Sequence, residues 1–337
     1  MTKKDLRLNR QPRFNRRQFL AVSGAGALAA SGLWRPSFAA EMTTIRQGYQ
    51  TNMWGMPTYY LLKSGYLEKE GIKIEEFAVP SGNLTMQQMV ARQVDLGTYA
   101  GPSFIIGNAK GGLVAIAVVE YVGRTAKVLA RKDLNLTKIE QLRGLKVANQ
   151  TGSSTGNIFV DKLAPAHGLK KGDYQEVRMN VNDMVAAMAA KTVDAMVNVE
   201  PYNALAEAEG IAVPIGSLDA ADKLPVFMAA TPEFVEQHPN EIVKYLKAWL
   251  KVGQDFKRDP VKAADAIYAF YTSKGYKMSK ETFAKALSAV DVDPGFPADL
   301  TPYMQEHAEG LLKAKRITAI PDWNKALRPE FMKKAMG

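Results

Sequence analysis

The chain has 337 residues, of which 47% are hydrophobic and 23% are charged, and it contains no cysteine. This composition is typical of a globular protein rather than a disordered one. The lack of cysteine excludes disulfides, thiolate metal sites, a cysteine nucleophile and a lipid-anchored cysteine.

Residues 1–39 have the pattern of an export signal. Adjacent Arg16 and Arg17 precede an apolar run over residues 19–33 that leads to small residues. An arginine pair before such a run is typical of twin-arginine export. The run is too short and too rich in Gly and Ala to span a membrane stably. We expect cleavage after Ala39, which predicts a freely soluble periplasmic protein.

The net charge of +10 at first suggests a nucleic-acid partner. However, residues 1–39 hold eight Lys and Arg and one Asp, so the rest of the chain has 36 basic and 33 acidic residues, a net charge of only +3. The remaining charges are mixed in sign along the predicted helices. We therefore expect no nucleic-acid partner.

After the signal, short strand-like runs alternate with amphipathic segments of helical length. The strand-like runs cover residues 43–49, 72–79, 94–100, 113–121, 127–133, 145–150, 174–180, 193–199 and 225–231. This alternation predicts parallel, doubly wound α/β sheets. From about Pro232 the pattern becomes almost wholly helical.

An internal repeat divides this region. Residues 89–102 align without a gap with residues 188–201 at an offset of 99, and residues 45–51 align with residues 145–151 at an offset of 100. The shared order and spacing indicate two copies of one α/β unit. We expect lobe I over residues 42–130, lobe II over 131–217, and a return to lobe I with the C-terminal helices over 218–337.

The segment "NQTGSSTG" in the second copy allows two hypotheses. It contains G-x-S-x-G centred on Ser154 between a predicted strand and a predicted helix, which is the context of a hydrolase nucleophile. The hydroxyls of Ser153, Ser154 and Thr155 at a helix start also suit a small anion. The alternative is that Ser154 or Thr155 serves only as a helix cap.

A serine hydrolase also needs a histidine base held by a carboxylate. The chain has three histidines, His167, His238 and His307, and none follows a strand end of the doubly wound region. The counterpart of "GSSTG" in the first copy is "NMWGM", which has no serine. Because ligands of open α/β sheets bind at the carboxyl ends of strands, we expect these two loops on opposite walls of one cleft.

Further candidates lie at neighbouring strand ends. Ser81 and Gly82 end the second strand, Ser103 follows the third, and Trp54 and Tyr99 are aromatic residues near these loops. Glu200 would contact an amine or hydroxyl of the ligand or pair across the cleft, and Arg124 would be an anion ligand or a hinge ion pair. Metal-binding and nucleotide-binding motifs are absent, so we expect neither a metal nor a cofactor.

Several segments resemble one family. "KSGYLEKEGI", "VDLGTYAGPS", "LRGLKVANQTGSSTG" and "VDAMVNVEPY" are similar to the periplasmic solute-binding components of ABC importers in the nitrate, sulfonate and taurine group. The resemblance covers essentially the whole chain after the signal. It implies a type II periplasmic binding protein-like fold, with two doubly wound α/β lobes around a ligand cleft and a helical C-terminal third.

The resemblance also implies a function and site residues. It implies a receptor that captures a small organic anion by hinge closure and delivers it to a membrane permease. We expect this receptor to be a monomer. The positions that match the family's site are Gly101, Pro102, Ser103, Gly152, Ser153, Ser154, Thr155 and Glu200. Many relatives have Trp where this chain has Asn198, so their ligand does not carry over. A secreted hydrolase using Ser154 and a sensor for a signalling partner remain as alternatives.

Overall fold

The computed structural model describes residues 42–275 and 278–337. The export signal expected over residues 1–39 lies outside these residues. Across the described part of the chain, no helix has both the length and the apolar character that a membrane crossing requires.

The strands form two five-stranded sheets. The first sheet has the order β2-β1-β3-β10-β4 and the second the order β7-β6-β8-β5-β9. The strands are β1 (Thr43–Gln50), β2 (Ile72–Val79), β3 (Leu96–Ala100), β4 (Val114–Tyr121), β5 (Ala126–Arg131), β6 (Lys146–Asn149), β7 (Gln175–Arg178), β8 (Ala195–Val199), β9 (Ala212–Ser217) and β10 (Pro225–Ala230). Lobe I denotes below the half built on the first sheet, and lobe II the half built on the second.

Both sheets are mixed, whereas the sequence predicted parallel ones. β10 runs antiparallel to β3 and β4, and β5 runs antiparallel to β8 and β9. These two strands enter directly from the other sheet, through short crossover segments that contain the single turns Gly123–Thr125 and Leu218–Ala220. A strand that enters a sheet without a helical crossover is free to pair antiparallel with its neighbours.

The two sheets have the same strand order if β1, β2 and β3 correspond to β6, β7 and β8, and β10 and β4 correspond to β5 and β9. The registers agree as well, since Gln47 pairs with Leu96 and Val147 with Ala195. This correspondence accompanies the repeat seen in the sequence. β5, however, belongs to the second sheet, whereas a boundary at Ala130 leaves most of that strand in lobe I.

Helices connect the strands and make up the C-terminal third, as the sequence predicted. Up to β10 they are α1 (Met56–Lys63), α2 (Tyr66–Lys69), α3 (Gly82–Val90), α4 (Gly101–Gly111), α5 (Ser154–Ile158), α6 (Ala164–Ala166), α7 (Met184–Ala189) and α8 (Tyr202–Ala208). After β10 they are α9 (Pro232–Gln237), α10 (Pro239–Arg258), α11 (Pro260–Ser273), α12 (Lys280–Leu287), α13 (Leu300–Lys313), α14 (Trp323–Ala326) and α15 (Pro329–Met336).

Proline opens several of the C-terminal helices. Pro232, Pro239 and Pro260 occupy the first turns of α9, α10 and α11, where their missing N–H groups cost no helical hydrogen bond. Along α10, Ile242, Leu246 and Trp249 recur at helical spacing and are buried. These helices could therefore be predicted from features within their own segments of the sequence.

The C-terminal segment protects the edge of the first sheet. Gly295 and Asp291 form antiparallel bridges with Val118 and Tyr121 of β4, and the Arg328 amide donates to the Ala115 carbonyl at 2.9 Å. An edge strand left open would offer unpaired backbone groups to other chains. This packing returns the end of the chain to lobe I.

Glu120 of β4 is a buried carboxyl group whose two oxygens have no hydrogen-bond partner among the described residues. Burial raises the pKa of Glu120 well above its ordinary value of 4.5. The native state therefore retains this proton at pH values where the unfolded chain has lost it. Stability is consequently lost as the pH rises from 4.5 towards the native pKa, with a slope of up to about 1.4 kcal/mol per pH unit.

Glu120→Gln should remove this pH dependence, because a neutral amide of similar size has no proton to lose. We expect the variant to be more stable than the natural protein at pH 8 and to show a smaller advantage at pH 5. Urea unfolding at both values measures the difference, with exposed Glu236→Gln as the control. An equal response of both variants to pH would contradict the assignment.

Candidate functional site

The two lobes meet along the carboxyl ends of their parallel strands, where α/β sheets bind ligands. Lobe I contributes the ends of β1, β2 and β3, and lobe II those of β6, β7 and β8. Residues at or just after the ends of all six strands surround one small cavity. This is the cleft that the sequence placed between "NMWGM" and "GSSTG".

Direct hydrogen bonds join the two walls of this cleft. The Gln150 side-chain amide donates to the Ser81 hydroxyl at 3.1 Å, and the Met53 backbone amide donates to the Glu200 carbonyl at 3.1 Å. The backbone amide of Ser103 donates to the Ser154 hydroxyl oxygen, also at 3.1 Å. The connections of lobe I are thus held against those of lobe II.

Ser154 reaches the start of α4 in the opposite lobe. Its hydroxyl accepts from the Ser103 amide and lies within hydrogen-bond distance of the Ala100 carbonyl and the Ser103 hydroxyl, at 3.2 and 3.1 Å. α4 has no side-chain cap from its own N-cap residue. Ser154 therefore supplies an oxygen that a helix start otherwise takes from its own cap, from water or from a ligand.

Within lobe II, the helix that begins at Ser154 has a different cap. The Ser153 hydroxyl accepts from the Gly156 amide at 3.1 Å. Capping is therefore a role of Ser153, while the hydroxyl of Ser154 is engaged across the cleft. The structure therefore contradicts the alternative that Ser154 or Thr155 serves only as the helix cap.

The cavity has a volume of about 20 Å³. A single water molecule needs about 10–15 Å³ of such space, so any larger molecule requires the walls to separate. The polar side chains that line it are those of Asn52, Ser81, Asn83, Ser103, Gln150, Ser153, Ser154 and Thr155. The remaining lining residues are Trp54, Gly82, Ala100, Val181 and Val199. None of these lining residues is charged.

The sequence predicted several of them. The predicted residues that line the cavity are Trp54, Ser81, Gly82, Ser103, Ser153, Ser154 and Thr155. The predicted residues that lie outside its lining are Tyr99, Gly101, Pro102, Gly152, Glu200 and Arg124. The lining residues that sequence reasoning missed are Asn52, Asn83, Ala100, Gln150, Val181 and Val199.

Trp54 ties the first loop to the crossover between the lobes. Its indole N–H donates to the Thr125 hydroxyl at 2.6 Å, and Thr125 in turn donates to the Val122 carbonyl at 2.7 Å. Trp54 is 5% exposed, and its ring lines the cavity. The indole N–H is therefore engaged, which leaves the ring for stacking.

Tyr99 and Gly101 face away from the cavity. The Tyr99 hydroxyl donates to the Met89 sulfur at 3.3 Å within the core of lobe I. A side chain at Gly101 would meet the ring of Tyr303 at 3.0 Å. Pro102 occupies the first turn of α4, and Gly152 has a positive φ of 88° in the turn before Ser153. These residues shape the loops rather than the cavity surface.

The Glu200 side chain lies outside the cavity lining and contacts neighbouring residues of lobe II. Its carboxylate accepts from the Lys127 ammonium and from the Ala204 backbone amide, each at 3.0 Å. Burial acts to lower the pKa of Lys127, but the charges of Glu200 and Glu207 raise it overall. The side chain of Glu200 thus fixes the start of α8, while its carbonyl receives the Met53 amide across the cleft.

Arg124 lies in the crossover Gly123–Thr125 and is exposed. Its guanidinium donates to the Ser288 carbonyl at 3.4 Å. Arg124 therefore lies in the crossover between the two sheets, and its partner there is a backbone carbonyl rather than a carboxylate.

The histidines lie apart from Ser154. His167 is partly exposed and contacts Glu140 at 2.8 Å, and His238 packs on the ring of Phe234. His307 is buried and contacts Asp222 at 2.7 Å. In the described part of the chain, none of the three lines the cavity, so Ser154 has no adjacent histidine to accept its proton. The described residues also contain no cluster of three or more His, Asp or Glu side chains suited to a metal ion.

The lobes also touch outside the cavity, along the helix that continues from α5. The Arg316 guanidinium donates to the Asn157 side-chain carbonyl and lies 3.8 Å from the Asp161 carboxylate. Lys162 pairs with Glu306 at 2.9 Å and with Asp222 at 3.2 Å. Asp161 and Lys162 lie in a π-helical turn, Phe159–Leu163, a feature frequent at functional sites.

Comparison with known proteins identifies relatives along most of the chain. A family model described as NMT1/THI5 like matches residues 52–263. A Bacillus subtilis protein whose name assigns it to aliphatic sulfonate binding is 25% identical over 323 residues, which cover 94% of this chain and 93% of that protein. The 4-amino-5-hydroxymethyl-2-methylpyrimidine phosphate synthase THI13 of Saccharomyces cerevisiae is 23% identical over 240 residues, covering 67% of this chain and 70% of that protein.

A solved structure agrees with the fold described above. The alkanesulfonate-binding protein SsuA from Xanthomonas axonopodis pv. citri, bound to MOPS, matches with a TM-score of 0.72 at 19% identity. The match covers 88% of this chain and 99% of that one. The fold and family predicted from the sequence are confirmed. The chain belongs to the NMT1/THI5-like family and has the fold of the periplasmic binding proteins.

Proposed function

We propose that this protein is the periplasmic receptor of an ABC importer and that it binds a small organic anion between its lobes. One observation carries the proposal: the starts of α3 and α4 and the hydroxyls of the "GSSTG" loop converge on one cavity that no charged residue lines. Ser81 is the N-cap of α3, and Ser103 lies in the first turn of α4. The names of the relatives point in the same direction.

Such a site suits an anion without a basic side chain. Backbone N–H groups at a helix start carry a partial positive charge, and hydroxyls add further donors. A sulfonate, nitrate, taurine or an aromatic carboxylate presents oxygens that match these donors. The Ser103 amide, which now donates to the Ser154 hydroxyl, would then donate to the ligand.

Binding requires the lobes to open and close again. The cavity of about 20 Å³ cannot hold a multi-atom anion until the hydrogen bonds between Gln150 and Ser81 and between Ser103 and Ser154 are exchanged for bonds to the ligand. The two crossovers near Thr125 and Leu218 are the natural hinge. Affinity then depends on how strongly the ligand favours the closed arrangement.

The export signal predicted over residues 1–39 supports a periplasmic location, and the family supports delivery of the ligand to a membrane permease. We expect the protein to act as a monomer without a catalytic step, a cofactor or a nucleic-acid partner. A sensor of the same fold would pass its closed shape to a signalling partner instead. A permease gene or a kinase gene beside the coding sequence would distinguish these two partners.

A thermal-shift panel tests the proposal. The purified protein is heated with nitrate, alkyl and aryl sulfonates, taurine, aromatic carboxylates, nitriles and pyrimidines, while the amount of each compound is followed. A true ligand at about a hundredfold excess over its Kd adds roughly 2.7 kcal/mol of stability. A shift with one class of anion and no loss of compound is the expected result.

Consumption of a panel compound would favour an enzyme, a possibility raised by the synthase among the relatives. The serine hydrolase hypothesis requires that Ser154→Ala abolish any such turnover. Stabilisation by pyrimidines alone, with no response to anions, would contradict the anion proposal.

Arg316→Met should weaken the binding of the panel anion about fivefold, because a charged hydrogen bond between the lobes is worth roughly 1 kcal/mol. Arg316 does not line the cavity, so the loss would come only from a less stable closed state. Isothermal titration measures the affinity, and Arg328→Met, which breaks a local pair with Glu330, is the control. Equal affinities of all three proteins would show that the contact does not contribute to closure.

A further inference from the structure

The cavity has one apolar corner in lobe II. Val181 lies in the connection between β7 and α7, and Val199 ends β8. Val181 is 3% exposed and Val199 is 2% exposed, so both are almost completely buried. In lobe I, the positions 100 and 99 residues earlier are Ser81 and Ala100, so the corresponding corner there is more polar and smaller.

A single buried amide holds both valines in place. The Asn198 side chain donates to the Val181 carbonyl at 3.0 Å and accepts from the Val199 backbone amide at 2.9 Å. Asn198 is completely buried. Both halves of its amide are thus used on the backbone of the two residues that form the corner.

A second amide continues the network towards the hinge. The Asn203 side chain donates to the Asn198 carbonyl at 3.1 Å and to the Thr125 carbonyl at 3.0 Å. The Thr125 hydroxyl receives the indole N–H of Trp54, which lines the same cavity. The corner is therefore tied to the crossover and to the aromatic residue on the opposite wall.

Few side chains can replace Asn198. Asp has an oxygen for the Val199 amide but, when ionised, no N–H for the Val181 carbonyl. Leu has a similar size but neither group, and it would leave both backbone groups without their partner in a buried place. The connection that carries Val181 would then be free to move relative to β8.

We propose that Asn198 is a positioning residue that determines ligand selectivity by fixing the apolar corner of Val181 and Val199. The anionic group of the ligand lies against the starts of α3 and α4, and its nonpolar part packs on this corner. This inference rests on the proposed function, since it concerns the same cavity. A rigid corner sets how long or wide that nonpolar part can be.

The test compares affinities within a ligand series. Binding of nitrate and of methane-, ethane-, butane- and octanesulfonate is measured by titration calorimetry for the natural protein, Asn198→Asp and Asn198→Leu. In the Leu variant, the ratio of the affinity for methanesulfonate to that for the best longer sulfonate should change at least about tenfold. The affinity for nitrate should change less than about threefold. The Asp variant loses the N–H bonds to Val181 and to the Met196 sulfur and adds a negative charge that lowers its affinity for every anion. Only its ratio of affinities is therefore compared, and that ratio should fall between those of the natural protein and the Leu variant.

Asn108→Leu is the matched control. Its side chain donates to the Leu113 carbonyl at 2.8 Å in lobe I and does not line the cavity. A purely structural role for Asn198 would lower all affinities by one common factor, as a general loss of stability does, and would overturn the inference. If the natural protein bound none of the anions, the proposed function would fail and the inference with it.

Discussion

Ser154→Asp should weaken the binding of a small anion at least about 100-fold, because a carboxylate about 4 Å from a bound anion costs several kcal/mol at the effective dielectric of a protein site. Asp at this position would place its own negative charge at the start of α4, where Ser154 now contacts Ser103. The protein would then supply its own anion and repel the ligand.

Ser154→Asn separates charge from shape, since Asn matches Asp in size and is neutral. We expect it to lose much less affinity than the Asp variant, and titration calorimetry with the same anion measures both. Equal losses in the two variants would mean that the ligand is not held there as an anion. Thermal unfolding without ligand checks that both variants remain folded.

Gly156→Ala should lower the free energy of unfolding by at least about 2–3 kcal/mol, because a Cβ at this position would overlap the Gln150 carbonyl in a tightly packed turn. Gly55 makes a similar close approach in lobe I, one position earlier in the repeat, where a Cβ would overlap the Gln50 carbonyl. In both lobes the glycine lets the first helical turn approach the end of the preceding strand. We expect Gly55→Ala to be at least as damaging.

Gly310→Ala is the control for these substitutions. Gly310 lies within α13, and a Cβ there would meet no atom within 4 Å. Because Ala is favoured over Gly inside a helix, this variant should gain about 0.5–1 kcal/mol. Urea unfolding of the three variants gives the comparison. A Gly156→Ala protein as stable as the natural one would show that the turn can relax.

The sequence predicted the features that depend on local pattern. Strands, helices and the repeat followed from hydrophobic periodicity and spacing, and the loops that line the cavity followed from the rule that ligands bind at strand ends. The antiparallel direction of β5 and β10 did not follow, because it depends on crossings between the two sheets that are distant in sequence.

Individual site residues were harder to predict. Tyr99 and Ala100 are neighbours on one strand, and only Ala100 lines the cavity, because alternate side chains of a strand face opposite sides. Glu200 resembled a ligand contact, but its partner Lys127 lies 73 residues earlier in the chain. Val181 carries no polar signal, so its place beside Val199 became evident only from the fold.

Hydrogen–deuterium exchange with the anion that gives the largest thermal shift tests the central claim most directly. If the ligand is held between the lobes, residues 100–104 of lobe I and residues 152–156 of lobe II should be protected together, since both contain helix-start amides at the cavity. Protection confined to one lobe, or found only away from these two segments, would contradict binding in this cleft.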